Sequence, residues 1–510
     1  MTLHDTQPSG FFGHPRGLAT LFFTELWERF SYYGMRALLI LFMTASVTSG
    51  GLGFPTAKAG VIYGAYTALV YMVTLPGGWL ADRFLGQRKA TLWGGMVIML
   101  GHISLAIPSL ESFYLGLGLI VVGTGLLKPN ISVMVGQLYT PEDARRDAGF
   151  SIFYMGINLG AFIAPLVTGW LAQSDQFKGI LAGMGVSAES SWHWGFGAAA
   201  VGMALGLVQY VLGWRHLGDA GLHPVRLESA EAQAALRRTL IIGLGTVVGA
   251  VALLALLATS GVVTISAEGI ARGFGYLLLA VVVGFFGWLF MSGDWTPEER
   301  KRLYVIAVLF FAAAVFWSVF EQAGSTLNLF AERSTRNEIF GLSFPASWWQ
   351  SLNSLYIIVL APLFAALWVR LGHKGKDPSS PFKFTLGLFF VAAGFGVMIV
   401  AARLAENGQQ VGIIWLALTY LLHTVGELCL SPVGLSAMTR LAPARIAGLM
   451  MGVWFLATSV GNYLGGQVAS LYESFALPTL FTAVTVFALL ATLVMALLVK
   501  PMTRMVKSGG

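Results

Sequence analysis

The run Glu25–Arg36 (ELWERFSYYGMR) places two carboxylates, two guanidinium groups and two phenols inside an otherwise apolar stretch. On a helix, Glu25, Glu28 and Arg29 stand at i, i+3 and i+4 and share a face, and Arg36 lies two turns further along it. Tyr32 and Tyr33 bring hydroxyls close to the same stripe. A neighbouring arginine favours the charged form of a carboxylate, while desolvation opposes it. A carboxylate balanced between the two can take and release a proton as its surroundings open and close. The plainer alternative is an ion cluster that ties helices together. Lys128, Glu321 and Glu427 are further ionisable groups in apolar surroundings. With Glu25, Glu28, Arg29 and Arg36 they make four acids against three bases, a set with one surplus carboxylate and so a natural place for one transferable proton.

The elements that must hold these groups follow from composition. Of the 510 residues, 56% are hydrophobic and only 11% charged, and the mean hydropathy is +0.73. So few charges cannot cover the surfaces of soluble domains, which carry about a quarter charged residues. The chain therefore reads as an all-α integral membrane protein. Disorder, a disulfide scaffold and a nucleic-acid-binding domain are excluded on the same ground, and Cys429 is the single cysteine. Residues 1–16 are short and polar, so no cleavable signal peptide is expected.

A membrane helix needs about 20 apolar residues. Fourteen candidate spans meet this: 17–47, 57–81, 88–108, 111–140, 147–172, 193–214, 238–260, 272–291, 303–329, 347–370, 382–404, 411–439, 445–470 and 477–500. With helices satisfying their own backbone in lipid, no strand is expected. If both termini are cytoplasmic, only six of the 31 Lys and Arg lie outside: Lys58, Lys178, Arg272, Arg333, Arg336 and Arg403. Arg29, Arg36 and Lys128 lie within spans and the rest lie inside, a bias that supports an even number of crossings. The layout reads as six, two and six: residues 1–215 as an N-terminal bundle, 216–300 as a polar linker with two additional helices, and 301–510 as a C-terminal bundle. Two six-helix halves around a midplane site are a common transporter plan. The extra pair reads as a peripheral hairpin or as lipid-facing filler.

Burying charge in a bilayer is costly, so these groups are functional candidates. Arg36 and Glu321 lie about 11 and about 8 residues from the outer ends of their helices, and Lys128 and Glu427 each about 12 from an inner end, at about 1.5 Å per residue. An outer pair Arg36–Glu321 and an inner pair Lys128–Glu427 are expected, each joining one half to the other and able to alternate as gates. Pro76, Pro129, Pro165, Pro362 and Pro432 lie within spans and can bend them. His102 and His423 are more readily packed polar residues than proton relays. Trp317 and Trp454 either line a cavity or pack. No GxxxxGK[ST] loop, HExxH run or paired Cys/His spacing occurs, so neither ATP chemistry nor a metal centre is expected.

Several stretches resemble one family. GGWLADRFLGQRK (Gly77–Lys89) looks like the loop motif of the major facilitator superfamily. ELWERFSYYG (Glu25–Gly34) resembles the ExxERFxYYG motif, and FYMGINLGAF (Phe153–Phe162) the FYxxINxG signature, of the proton-dependent oligopeptide transporters. LLKPN (Leu126–Asn130), FEQAGS (Phe320–Ser325), WWQSLN (Trp348–Asn353) and GELCLSPVG (Gly426–Gly434) match that family too. The resemblance covers nearly the whole chain, including the two extra helices of bacterial members.

It implies the major facilitator fold and import of di- and tripeptides coupled to protons, with no other cofactor. In the family, the residues matching Arg36 and Lys128 hold the peptide carboxylate, and those matching Glu427 and Asn353 the amino terminus. Those matching Tyr32, Tyr33, Tyr71 and Asn158 help to bind the backbone, with Trp317 and Trp454 as candidate pocket residues. The ExxER glutamates with Arg29, and the match of Glu321, serve proton coupling. Animal members carry a histidine on the second helix; this chain has none there, so coupling would rest on carboxylates. A peptide zwitterion suits cations on one half and a carboxylate on the other. The resemblance further implies a multi-pass protein of the plasma (inner) membrane, functional as a monomer. A symporter of another anion or zwitterion, such as nitrate or an amino acid, and a membrane-embedded enzyme or peptide sensor are the alternatives.

Overall fold

A computed structural model describes residues 10–507 except 141, 225–228, 292, 294, 444, 445, 447 and 448. The chain opens with α1 (Arg16–Thr44), α2 (Thr56–Met72), α3 (Thr74–Leu80), α4 (Gln87–Leu105), α5 (Leu110–Gln137) and α6 (Arg146–Gln173). A short α7 (Asp175–Gly183) precedes α8 (Ser191–Gly213), α9 (Ala230–Thr259) and α10 (Ala267–Met291). The remainder comprises α11 (Pro297–Phe320), α12 (Thr326–Ser334), α13 (Gln350–His373), α14 (Ser380–Leu404), α15 (Ile414–Leu441), α16 (Met450–Ser470) and α17 (Leu477–Lys507). Among the described residues, eleven helical segments are long and apolar enough to cross a membrane by length and composition. The expected spans at α1, α4 and α16 are helices as well but fall short of that apolarity, α1 because it carries the Glu25, Glu28, Arg29 and Arg36 stripe.

Three local departures from the expected pattern have physical causes. The second span breaks at Val73 between α2 and α3, where Pro76 has no N–H to offer the carbonyl of Met72. The ninth, expected as one helix over 303–329, stops at Phe320; Glu321–Gly324 form a 3₁₀ turn, and α12 starts afresh at Thr326. At Gly324 a Cβ would overlap the Tyr63 hydroxyl, so no larger residue fits this turn. The carbonyl of Ala323, released from the helical ladder, accepts hydrogen bonds from Gln350 Nε2 (2.5 Å) and the Tyr420 hydroxyl (3.3 Å). Finally, the expectation of no strand fails at β1 (Glu338–Ile339) and β2 (Leu342–Ser343), a two-residue antiparallel hairpin. Its turn residues Phe340 and Gly341 both have positive φ, 51° and 81°, the conformation that matches strand twist.

The helices sort into an N-terminal group, in which α1 packs on α6 and α8 and α4 on α5, and a C-terminal group, in which α14 packs on α15 and α17 and α11 on α16. The extra pair is attached through α10, which lies against α2 and α16 and sets Phe274 edge-on to Tyr463 at 6.0 Å. The polar stretch before it is already helical from Ala230, as suits its Ala, Glu, Gln and Arg content. Below, the face where α1 begins is the terminal face and the face where it ends is the distal face.

Candidate functional site

Arg29 on α1 lies between two carboxylates: its Nε is 3.2 Å from Glu25 Oε1 and also donates to Glu28 Oε2. All three side chains are buried. The guanidinium also lies over the Tyr32 ring, 5.3 Å from its centroid. One oxygen of each carboxylate and Nη2 of Arg29 have no hydrogen-bond partner among the described residues. The arrangement is an ion triad with spare polar capacity, not a closed structural lock, because buried polar groups are ordinarily satisfied.

Two turns along, Arg36 reaches across to the C-terminal group. Its Nη2 donates to Glu321 Oε2 at 2.5 Å and its Nε to the Tyr63 hydroxyl at 2.8 Å, with the Tyr33 ring 5.8 Å away. The break after α11 makes this possible, since Glu321 is the first residue of the 3₁₀ turn and points out of the helix ladder. Tyr63 is a member of this site that sequence reasoning missed; α2 also carries Tyr66, Thr67 and Tyr71, so nothing along the chain singled it out.

Further bonds join the two groups on both sides of this pair. The Asn328 amide donates to Ala37 O (2.8 Å), and the Ser459 hydroxyl to Ala68 O (2.8 Å). Trp348 Nε1 donates to Leu166 O (3.1 Å), and the Ser351 hydroxyl to Phe162 O (2.7 Å). At the distal surface Glu473 accepts from Thr56 (2.5 Å) and Arg333 (2.7 Å). The Thr56 bond first, then the Arg333 bond, hold the Glu473 carboxyl below its ordinary pKa. Gly64 of α2 and Gly466 of α16 meet backbone to backbone, and a Cβ on either helix would overlap the other. Gly466→Val should wedge this contact apart at a cost of about 1–3 kcal/mol. Spin labels on the exposed Ser46 and Ser474 should then move further apart; an unchanged label distance would contradict a distal seal built on this crossing.

On the terminal side of the Arg36–Glu321 pair several polar side chains of both groups are less completely covered. Tyr33, Tyr71, Lys128, Asn353, Glu427 and Phe455 are all only partly buried, whereas Arg36, Glu321 and Tyr63 are buried. Lys128 Nζ sits 3.9 Å above the Tyr71 ring and 5.9 Å from that of Phe455. Glu427 Oε2 accepts from Asn353 Nδ2 at 3.1 Å, and the same amide donates to Thr424 Oγ1 at 3.0 Å. The expected inner pair Lys128–Glu427 is therefore corrected: among the described residues neither group makes an ion pair with the other. The depth estimate placed both in the terminal half, but a salt bridge needs lateral contact as well as equal depth, and each side chain has another partner: Lys128 the Tyr71 ring, Glu427 the Asn353 amide.

The charges nevertheless address one space. Lys128 lies within electrostatic range of Glu25, Glu28, Arg29 and Glu321, and Glu427 within range of Glu321, Arg36 and Tyr33. Three further predicted residues are less engaged. Asn158 is buried and spends its amide on the carbonyl of Tyr154 within α6. Trp317 and Trp454 are buried and stacked edge to face at 6.4 Å, so they brace the C-terminal group as much as they border the cleft. Tyr154, within range of both Glu427 and Tyr33, is a second residue missed in the sequence. His102 and His423 are buried, and His423 packs against the Phe320 and Phe395 rings.

Two groups of membrane-length helices that meet across buried, oppositely charged side chains are the plan of a membrane transporter of the major facilitator type. The profile of the POT family (PTR2) matches residues 88–484. The chain is 42% identical to the peptide transporter YePEPT of Yersinia enterocolitica subsp. palearctica, over 98% of this chain and 96% of that protein. It is 38% identical to the di-/tripeptide transporter of Lactococcus lactis subsp. cremoris, over 97% of each. A crystal structure of a POT family transporter in complex with a thioalcohol-conjugated peptide superposes with a TM-score of 0.87 at 37% identity, over 98% of this chain and 99% of that one. The chain belongs to the POT family; it is a transporter and not an enzyme.

Proposed function

We propose that this protein imports di- and tripeptides by alternating access, driven by symport of protons, across the plasma (inner) membrane of its cell. The terminal face is the cytoplasmic one in this reading, and a monomer suffices. No cofactor beyond the coupling proton takes part. The observation that carries the proposal is the arrangement of charge across the cleft. Cationic Arg36 and Lys128 belong to the N-terminal group, whereas Glu427, with Asn353 beside it, belongs to the C-terminal group. A zwitterion with its charges one short backbone apart bridges the two only when they approach.

Arg36 is held by Glu321. Protonation of Glu321 removes that competitor, and the peptide carboxylate takes its place at Arg36. The peptide amino terminus is read by Glu427, and backbone groups by Tyr33, Tyr71 and Asn158. Lys128, which has no carboxylate partner among the described residues, supplies the second positive charge. The Glu25–Glu28–Arg29 triad lies within range of Lys128 and carries the second proton-sensitive step. Relatives named as peptide transporters and a relative bound to a peptide conjugate support the same substrate class.

Purified protein in liposomes is expected to accumulate labelled dialanine under an inward proton gradient, and to lose accumulation when an ionophore collapses it. Tripeptides should compete, and nitrate or single amino acids should not. Equilibration without accumulation would exclude proton coupling, and competition by nitrate alone would exclude the peptide reading.

A further inference from the structure

Two contiguous cavities lie on the N-terminal group, outside the cleft. The larger, about 890 Å³, runs between α1, α6 and α8 and is walled by Trp27, Phe30, Val167, Gly197, Val201 and Leu205. Its volume is within the usual range of ligand sites. Its open side is apolar: Val201, Trp194 and Leu205 are 60%, 47% and 46% exposed. These helices are of membrane length, so that side meets hydrocarbon. From Ser190 to Leu205 the groove follows α8 for about 22 Å at 1.5 Å per residue, deeper than one leaflet's hydrocarbon of about 15 Å.

The smaller cavity, about 380 Å³, sits at the distal end of the first and shares Pro108, Ser190 and His193 with it. Its character is different. Ser109, Ser187, Ser190 and Glu189 border it, and no lysine or arginine lines either cavity. Glu189 is exposed and makes no ion pair among the described residues. An apolar channel at hydrocarbon depth thus ends in an anionic, hydroxyl-lined chamber at the distal surface. That sequence of environments matches a lipid, tail inward and headgroup outward. A lone carboxylate repels headgroups of net negative charge. A primary ammonium can donate three hydrogen bonds to Glu189 and the serine hydroxyls, while a trimethylammonium can donate none.

We infer that these two cavities form a binding site for a glycerophospholipid of the distal leaflet with a primary-ammonium headgroup, one acyl chain along the α8 groove and the ammonium at Glu189. The test is native mass spectrometry of the full-length protein with equimolar dioleoyl phosphatidylethanolamine, phosphatidylcholine and phosphatidylglycerol. The wild type is expected to retain the ethanolamine lipid about tenfold over the other two, the ratio that one charge-assisted hydrogen bond confers. Glu189→Gln should still bind lipid but lose that preference. Gly197→Leu should lower retention of all three, because the nearest atom to a Cβ there is Ala106 Cβ at 3.9 Å and the new side chain fills the groove without straining the fold. Val201→Trp blocks the same groove from its open side and should act alike. Equal retention of the three lipids by the wild type, an unaltered preference in Glu189→Gln, or unaltered retention in both blocking variants would overturn the inference.

Discussion

Glu321→Gln is expected to lower dialanine accumulation driven by a proton gradient by at least about 100-fold, the ratio that corresponds to the lower end of the cost of breaking a buried ion pair. Counterflow exchange of peptide should survive in the same variant. The reason is the geometry around Arg36. In the wild type its Nη2 is paired with a carboxylate at 2.5 Å and its Nε with Tyr63 at 2.8 Å, all of them buried. Glutamine keeps an oxygen that accepts from Arg36, so the distal seal and the fold persist. It holds Arg36 permanently as weakly as a protonated carboxylate does, so the peptide meets an arginine that is already released and the proton no longer decides when. Uptake by Glu321→Gln at the wild-type rate under the gradient would contradict the assignment of coupling to this pair.

Arg29→Met is expected to have the second largest effect, this time on stability as well as transport. Arg29 is bonded to both Glu25 and Glu28, the one cation among the described residues that is, and none of the three side chains is more than 4% exposed. Its removal leaves two carboxylates buried without a counter-charge, a loss of about 3–5 kcal/mol for a broken buried pair. The melting temperature of the purified protein should fall by many degrees. Adding Glu25→Gln and Glu28→Gln to Arg29→Met removes the stranded charges, so most of the stability should return while proton-driven uptake stays absent. Arg29→Lys should restore less than the triple variant in melting, because an ammonium on a flexible stem cannot replace a planar fork between two fixed carboxylates. A single variant that melts like the wild type would mean that the triad carries no electrostatic load.

The spans were legible because a bilayer demands about 20 apolar residues per helix whatever the helix packs against. The stripe on α1 was legible for a similar local reason: i, i+3, i+4 spacing brings Glu25, Glu28 and Arg29 together within one helix. The pairing of Arg36 with Glu321 followed from depth alone, since both are reached by counting residues from a helix end. The break after Phe320 was not legible, because the apolar composition continues into α12; the crowding of Gly324 against Tyr63 is a contact between helices far apart in sequence. For the same reason Tyr63 and Tyr154 looked no different from other tyrosines until the helices were brought together.

The sequence by itself determined a helical membrane protein, the seven ionisable groups within its spans and the depth at which each one sits, because hydrophobic length and helical rise act along a single chain. Only the tertiary structure decided which of those groups touch. The distal face is joined by Arg36–Glu321 and the Gly64–Gly466 crossing, while Lys128 rests on Tyr71 and Glu427 on Asn353. Depth is a property of one helix, but lateral separation belongs to the packing of two groups against each other.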